Sequence, residues 1–175
     1  MSEIITTDRT TKGVPGNAKG FSLAELLIIL TIGTILTIVA VPSINSGVRN
    51  YRISGAVSAV TWAIHSTRYQ ALEEGYPFQV VFNSTANNYL IQSSPANNGT
   101  YSNVDTSANP YVPISSWPVT LSADTTLNFK PNGFVSAPVG ALSFTMTYQG
   151  VCQKLSVTNY GNVSISPNYP QPTCP

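Results

Sequence analysis

Glu25 stands alone in KGFSLAELLIILTIGTILTIVAVPSI, and the chemistry open to it is ion pairing rather than catalysis. Residues 26 to 48 carry no formal charge and are dominated by Leu, Ile, Val and Thr. A bilayer needs about 20 mostly apolar residues in helix, so this run is long enough to cross one. A carboxylate near the edge of such a span costs roughly 2.5 to 3.5 kcal/mol on insertion scales, and it is retained where something pairs with it.

The other reactive side chains form no catalytic constellation. His65 is the single histidine, and no second ligand or nucleophile lies at useful spacing from it. Glu73 and Glu74 are adjacent, so on a helix their carboxylates diverge and cannot share a proton. No glycine-rich phosphate loop follows a strand pattern. Catalytic residues, metal ligands and cofactors are therefore all expected to be none, and an enzyme is not expected. Cys152 and Cys174 lack zinc-ligand or C-x-x-C spacing. In an exported protein they would form a disulfide worth roughly 3 kcal/mol on the chain-entropy account, the alternative being two free thiols.

Composition places these residues outside the cytosol. Apolar residues make up 42% and charged residues only 9%, a balance that fits an extracytoplasmic, β-rich chain better than a cytosolic enzyme. The formal net charge is +1, and it resides in the first 20 residues, where Arg9, Lys12 and Lys19 outnumber Glu3 and Asp8. From residue 21 onward the charges balance, which argues against nucleic-acid binding driven by clustered Lys and Arg.

The elements that position Glu25 follow from the pattern. Residues 1 to 19 are polar, end in Lys19 and contain Gly13, Pro15, Gly16 and Asn17, so they read as a leader without a role in the fold. A secretory signal would place small residues after its apolar core. Here that region is IVAVPSIN, and the junction that looks processed is Lys19-Gly20-Phe21, before the core. Ser22 is available as an N-cap with Glu25 as capping-box partner, and a long helix is expected from there.

Pro42 marks the change from the apolar run to an amphipathic pattern, in which Ile53, Val57, Val60, Ile64 and Ala71 share one face. Glu73, Glu74, Gly75 and Pro77 make a stop. A continuous helix over residues 22 to 74 would span about 80 Å, so its second half must be covered by other elements.

The cover is expected from short strands. FQVVFN (78 to 83) and NYLIQS (88 to 93) read as a hairpin, residues 94 to 120 as a long surface loop, and TLNFK precedes the turn Pro131-Asn132-Gly133. Further strands are expected at 141 to 148, 151 to 159 and 162 to 166. The fold class is α+β, a long N-terminal helix packed on an antiparallel sheet or small sandwich. Thr31, Thr34 and Thr37 recur every three residues in the apolar run. Either each hydroxyl bonds back to its own helix, or together they form a stripe facing other transmembrane helices.

Gly20 before the aromatic Phe21, Glu25 as the fifth residue counted from Phe21, and Pro42 ending the apolar run together resemble the processing site and N-terminal helix of type IV pilins and type II secretion pseudopilins. The segments ALEEGYPFQVVF, LNFKPNGFV, LSFTMTY and LSVTNYGNVSIS resemble the H-type minor pseudopilins and FimT-like minor pilins of that superfamily. The resemblance implies a leader over 1–20, a transmembrane and assembly segment over 21–48, and a periplasmic domain over 49–175. It implies cleavage by prepilin peptidase between Gly20 and Phe21, N-methylation of Phe21, and residence in membrane lipid of the inner membrane. Assembly with other pilin or pseudopilin subunits by an inner-membrane platform and its ATPase would follow, into a periplasmic pseudopilus or a surface pilus.

Some FimT-like members bind DNA during transformation through C-terminal arginines. The segment after Lys154 here has neither Lys nor Arg, which disfavours that alternative.

Overall fold

The computed structural model describes residues 20–139, 141–167 and 169–170. The chain forms two units, the first ending at Val41 and the second running from Pro42. One helix, α1 (Leu23–Glu74), begins in the first and ends in the second.

Ser22 occupies the N-cap position, and its carbonyl accepts the first intrahelical bond from the Leu26 N–H at 3.2 Å. Neither bond of a capping box, Glu25 N–H to the Ser22 hydroxyl or Ser22 N–H to the Glu25 carboxylate, occurs among the described residues, so the box is not formed. At the other end Gly75 takes φ 73°, the left-handed conformation that lets a chain turn off a helix without a Cβ penalty. The helix therefore stops at Glu74, where the acidic pair and the following glycine place its end.

The second unit has its own core. Along α1, Ile53, Ala56, Val57, Val60, Ala63, Ile64, Thr67 and Ala71 are buried, a stripe at three- and four-residue spacing. Five of these are the positions that the sequence periodicity picks out. Burying a side chain such as Ile53 or Val60 contributes roughly 1.5 to 3 kcal/mol, so the stripe is sufficient to hold this half of the helix to the strands. Thr67 is tolerated there because its hydroxyl donates to the Ala63 carbonyl at 2.7 Å.

The strands are β1 (Phe78–Asn83), β2 (Asn88–Ser93), β3 (Ser102–Asn103), β4 (Val112–Pro113), β5 (Thr120–Leu121), β6 (Thr125–Phe129), β7 (Val135–Val139), β8 (Ser143–Tyr148), β9 (Val151–Val157), β10 (Val163–Ile165) and β11 (Tyr169–Pro170). They make two antiparallel sheets. In one the order is β3-β2-β1-β6-β7, with β4 also on β2; in the other it is β10-β9-β8-β5, with β11 also on β9.

The expected hairpin forms with Phe78 opposite Ser93 and Asn83 opposite Asn88. Alternation along β1 buries Phe78, Val80 and Phe82 and leaves Gln79, Val81 and Asn83 half-buried. Phe82 then meets Phe144 of β8 with ring centroids 5.7 Å apart, so one aromatic pair joins the two sheets.

Residues 94 to 120, expected as a surface loop, are tied down at several points. Val104 N–H donates to the Ile91 carbonyl at 3.1 Å and Ile114 N–H to the Asn87 carbonyl at 3.0 Å, while Ile114 and Val119 are buried. The two-residue strands β3 and β4 lie within this stretch. β7 is a further strand beyond the expected set.

Candidate assembly site

In the first unit the described side chains of α1 are exposed. Phe21 is 76% exposed, Leu23 81% and Leu30 63%, and none of the described side chains of this unit is buried. Such a surface is incompatible with water over this length, and the helix is long and apolar enough to cross a membrane.

The threonines fit that environment. Thr31 Oγ1 donates to the Leu27 carbonyl at 2.7 Å, Thr34 Oγ1 to Leu30 at 2.5 Å and Thr37 Oγ1 to Gly33 at 2.7 Å. Each hydroxyl is thus satisfied by its own helix, as the first reading of this stripe expects.

Glu25 lies in the first turn of α1 and is exposed. A carboxylate there faces the unpaired N–H groups of the helix start, which favour negative charge by about 0.3 to 1 kcal/mol. That is less than the cost of placing it in lipid, so the helix start alone does not account for Glu25. Gly20 and Phe21 precede the helix and are exposed. Pro42 falls within α1 at the boundary between the two units.

In the second unit, Arg49 and Arg52 follow the uncharged run and turn toward the β8–β9 hairpin. Arg49 Nη1 donates to the Gln149 carbonyl at 3.3 Å. Arg52 Nη1 donates to the Tyr148 hydroxyl at 2.7 Å, and its guanidinium lies 3.6 Å from the centroid of the Trp117 ring. No motif in the sequence marks this group. Its local signal was two like charges three residues apart directly after the apolar run, whereas Trp117 and Tyr148 reach it only through the tertiary fold.

Elsewhere the potential chemistry stays dispersed. His65, Glu73 and Glu74 are exposed on α1. No group of three or more His, Cys, Asp or Glu could hold a metal ion among the described residues. Cys152 is fully buried in β9 and no free cysteine occurs among the described residues, while Cys174 lies outside them. The leader residues 1 to 19 also lie outside them.

Asp124 has a structural role. Its Oδ1 accepts both the Ser84 hydroxyl and the Ser84 backbone N–H at 2.7 Å, and these bonds hold its carboxyl below the ordinary carboxylate range.

Residues 56–167 match the family model of the type II transport protein GspH. The chain belongs to the GspH family. The GspH match takes in α1 from Ala56, its stop, both sheets through β10 and the turns between them. Two crystal structures of the type IV minor pilin FimU from Pseudomonas aeruginosa are similar to this GspH-family chain. One is 17% identical with a TM-score of 0.45, covering 68% of this chain and 90% of that one. The other is 16% identical with a TM-score of 0.43, covering 65% and 91%. Among curated proteins none matches. Membership in this family of type II transport proteins places the chain in the pilin and pseudopilin superfamily.

Proposed function

We propose that this chain is synthesised as a prepilin and enters a filament through its N-terminal helix. Residues 1–20 are the leader, cut by prepilin peptidase between Gly20 and Phe21, with methylation of the new Phe21 amine. Residues 21–48 reside in the lipid of the inner membrane, and residues 49–175 form the periplasmic domain. An assembly platform and its ATPase then draw the subunit into a pilus or pseudopilus beside other pilin or pseudopilin subunits.

The observation that carries this reading is the contrast between the two units. One is an apolar helix with its described side chains exposed, and the other holds a complete core of its own. A helix of the first kind needs either lipid or neighbouring helices around it, and a filament core exchanges one for the other.

Glu25 supplies the register. After cleavage, Phe21 carries an α-amine of pKa about 8, mostly protonated at neutral pH. Glu25 of one subunit neutralises the amine of the next as both enter the filament core, where leaving either charge alone is costly. Cys152 and Cys174 form a disulfide that fastens the Pro-rich tail to β9. Differential alkylation of the exported protein, with and without reductant, tests that bridge.

Intact-mass measurement of membrane-extracted protein is the primary test, and a methylated chain beginning at Phe21 is expected. A chain that keeps residues 1–20, or is cut elsewhere, removes the reading. With cleavage established, Glu25→Ala is expected to lower recovery in sheared filaments roughly tenfold or more while leaving the membrane pool intact.

A further inference from the structure

The second unit carries a basic cleft that filament assembly does not explain. Asn45, Val48, Arg49 and Arg52 are spaced three and four residues apart on α1, so they share one helical face, and Gln149 closes the cleft from the β8–β9 turn. The cleft is open to solvent and encloses about 530 Å³, enough for a phosphodiester group.

Both guanidiniums are held in place by uncharged oxygens. Arg49 donates to the Gln149 carbonyl, Arg52 donates to the Tyr148 hydroxyl and stacks on Trp117, and Arg49 Nε is buried with no hydrogen-bond partner. Each guanidinium carries five N–H donors, so most of this donor capacity is uncommitted, and planar forks of this kind match phosphate oxygens bidentately.

Position selects the source of the anion. Arg49 is the first charge after residues 26 to 48, so in sequence it falls where an apolar span meets the headgroup layer. Basic residues are also disfavoured on the translocated side of a span, and Arg49 and Arg52 would sit there. A fixed anion at that depth compensates them.

We infer that Asn45, Arg49, Arg52 and Gln149 bind the phosphate of a membrane phospholipid headgroup on the periplasmic side, and hold it until the subunit leaves the bilayer. This inference rests on the membrane residence proposed above for residues 21–48. The Trp117 ring and Tyr148 hydroxyl pre-position Arg52, and Arg49 and Asn45 supply the remaining donors.

The test uses the full chain in mixed micelles containing phosphatidylglycerol, with retained lipid counted by native mass spectrometry. The wild-type chain is expected to keep one phosphatidylglycerol. Arg49→Gln is expected to bind it about fivefold more weakly, and the Arg49→Gln, Arg52→Gln pair roughly 30-fold more weakly. The Lys pair, with charge but no fork, should fall between. Arg49→Gln removes only one 3.3 Å bond within the fold, so a loss in that variant is separable from misfolding. Wild-type lipid retention in both glutamine variants would overturn the site.

Displacement of the lipid by millimolar inorganic phosphate would assign the site to a free anion and overturn the lipid source. Carbonate extraction of cell membranes reads the membrane reading by itself. Release of the chain overturns that reading and this inference together, whereas an embedded chain indifferent to its arginines overturns the inference alone.

Discussion

Gly161 stands so close to Arg68 that a Cβ built on it would lie 2.7 Å from Arg68 Cδ and 2.8 Å from its Nε. The arginine stem of α1 thereby closes over the turn between β9 and β10, and Gly161 also takes φ 76°. Gly161→Ala combines a clash with a left-handed backbone, and a loss of roughly 1 to 3 kcal/mol is expected. Urea unfolding followed by tryptophan fluorescence measures it, and an unchanged midpoint would contradict the packing.

Phe82 is the tie between the sheets, with Tyr89 at 6.0 Å on its own sheet and Phe144 at 5.7 Å on the other. Phe82→Ala should cost about 3 to 5 kcal/mol, because the cavity opens where two rigid sheets meet and neither can collapse into it. Phe82→Leu should cost less than half as much. Thermal melts of the two variants give the comparison.

The Asp124 carboxylate, lowered by its two bonds from Ser84, stabilises the β1–β2 turn when ionised. Its folded-state pKa is below the unfolded value of about 3.9, so the contribution is present above that value and disappears as pH falls through the folded pKa. Asp124→Asn should thus be less stable than wild type at pH 7, and the difference should shrink as pH falls through the folded pKa. Paired melts across this range test the sign. A gap that widens on acidification would refute it.

Replacing Thr31, Thr34 and Thr37 together by Val should leave filament incorporation within about twofold of wild type. Each hydroxyl already spends its donor on its own helix, so its removal strands no partner group. A collapse of incorporation comparable to that expected for Glu25→Ala would restore the alternative of an interhelical stripe.

The helix, its apolar half and its buried face were readable because each rests on local periodicity, as Ile53, Val57, Val60, Ile64 and Ala71 show. The β1–β2 hairpin was readable because its turn residues and alternation agree. β7 was not, since Pro138 interrupts VSAPV and cannot donate to a ladder, so the strand survives only at the edge beside β6, with an irregular register between Thr126 and Asn128. The two-residue strands β3, β4 and β5 are too short to carry any period. The Arg52 contacts with Trp117 and Tyr148 depend on which distant turns the fold brings to α1, and no local pattern encodes that.

Every outer strand of the two sheets is short or interrupted: two-residue β3 and β4 beyond β2, proline-bearing β7 beyond β6, two-residue β5 beyond β8, and β10 and β11 beyond β9. For copies tethered in one bilayer this has a consequence for traffic. Domains confined to a plane collide repeatedly in similar orientations, and a long free strand would let them zip sideways into dead-end ribbons. With no such strand among the described residues, lateral encounters in the proposed membrane pool would stay reversible, and subunits would remain free to diffuse to the place where filaments begin.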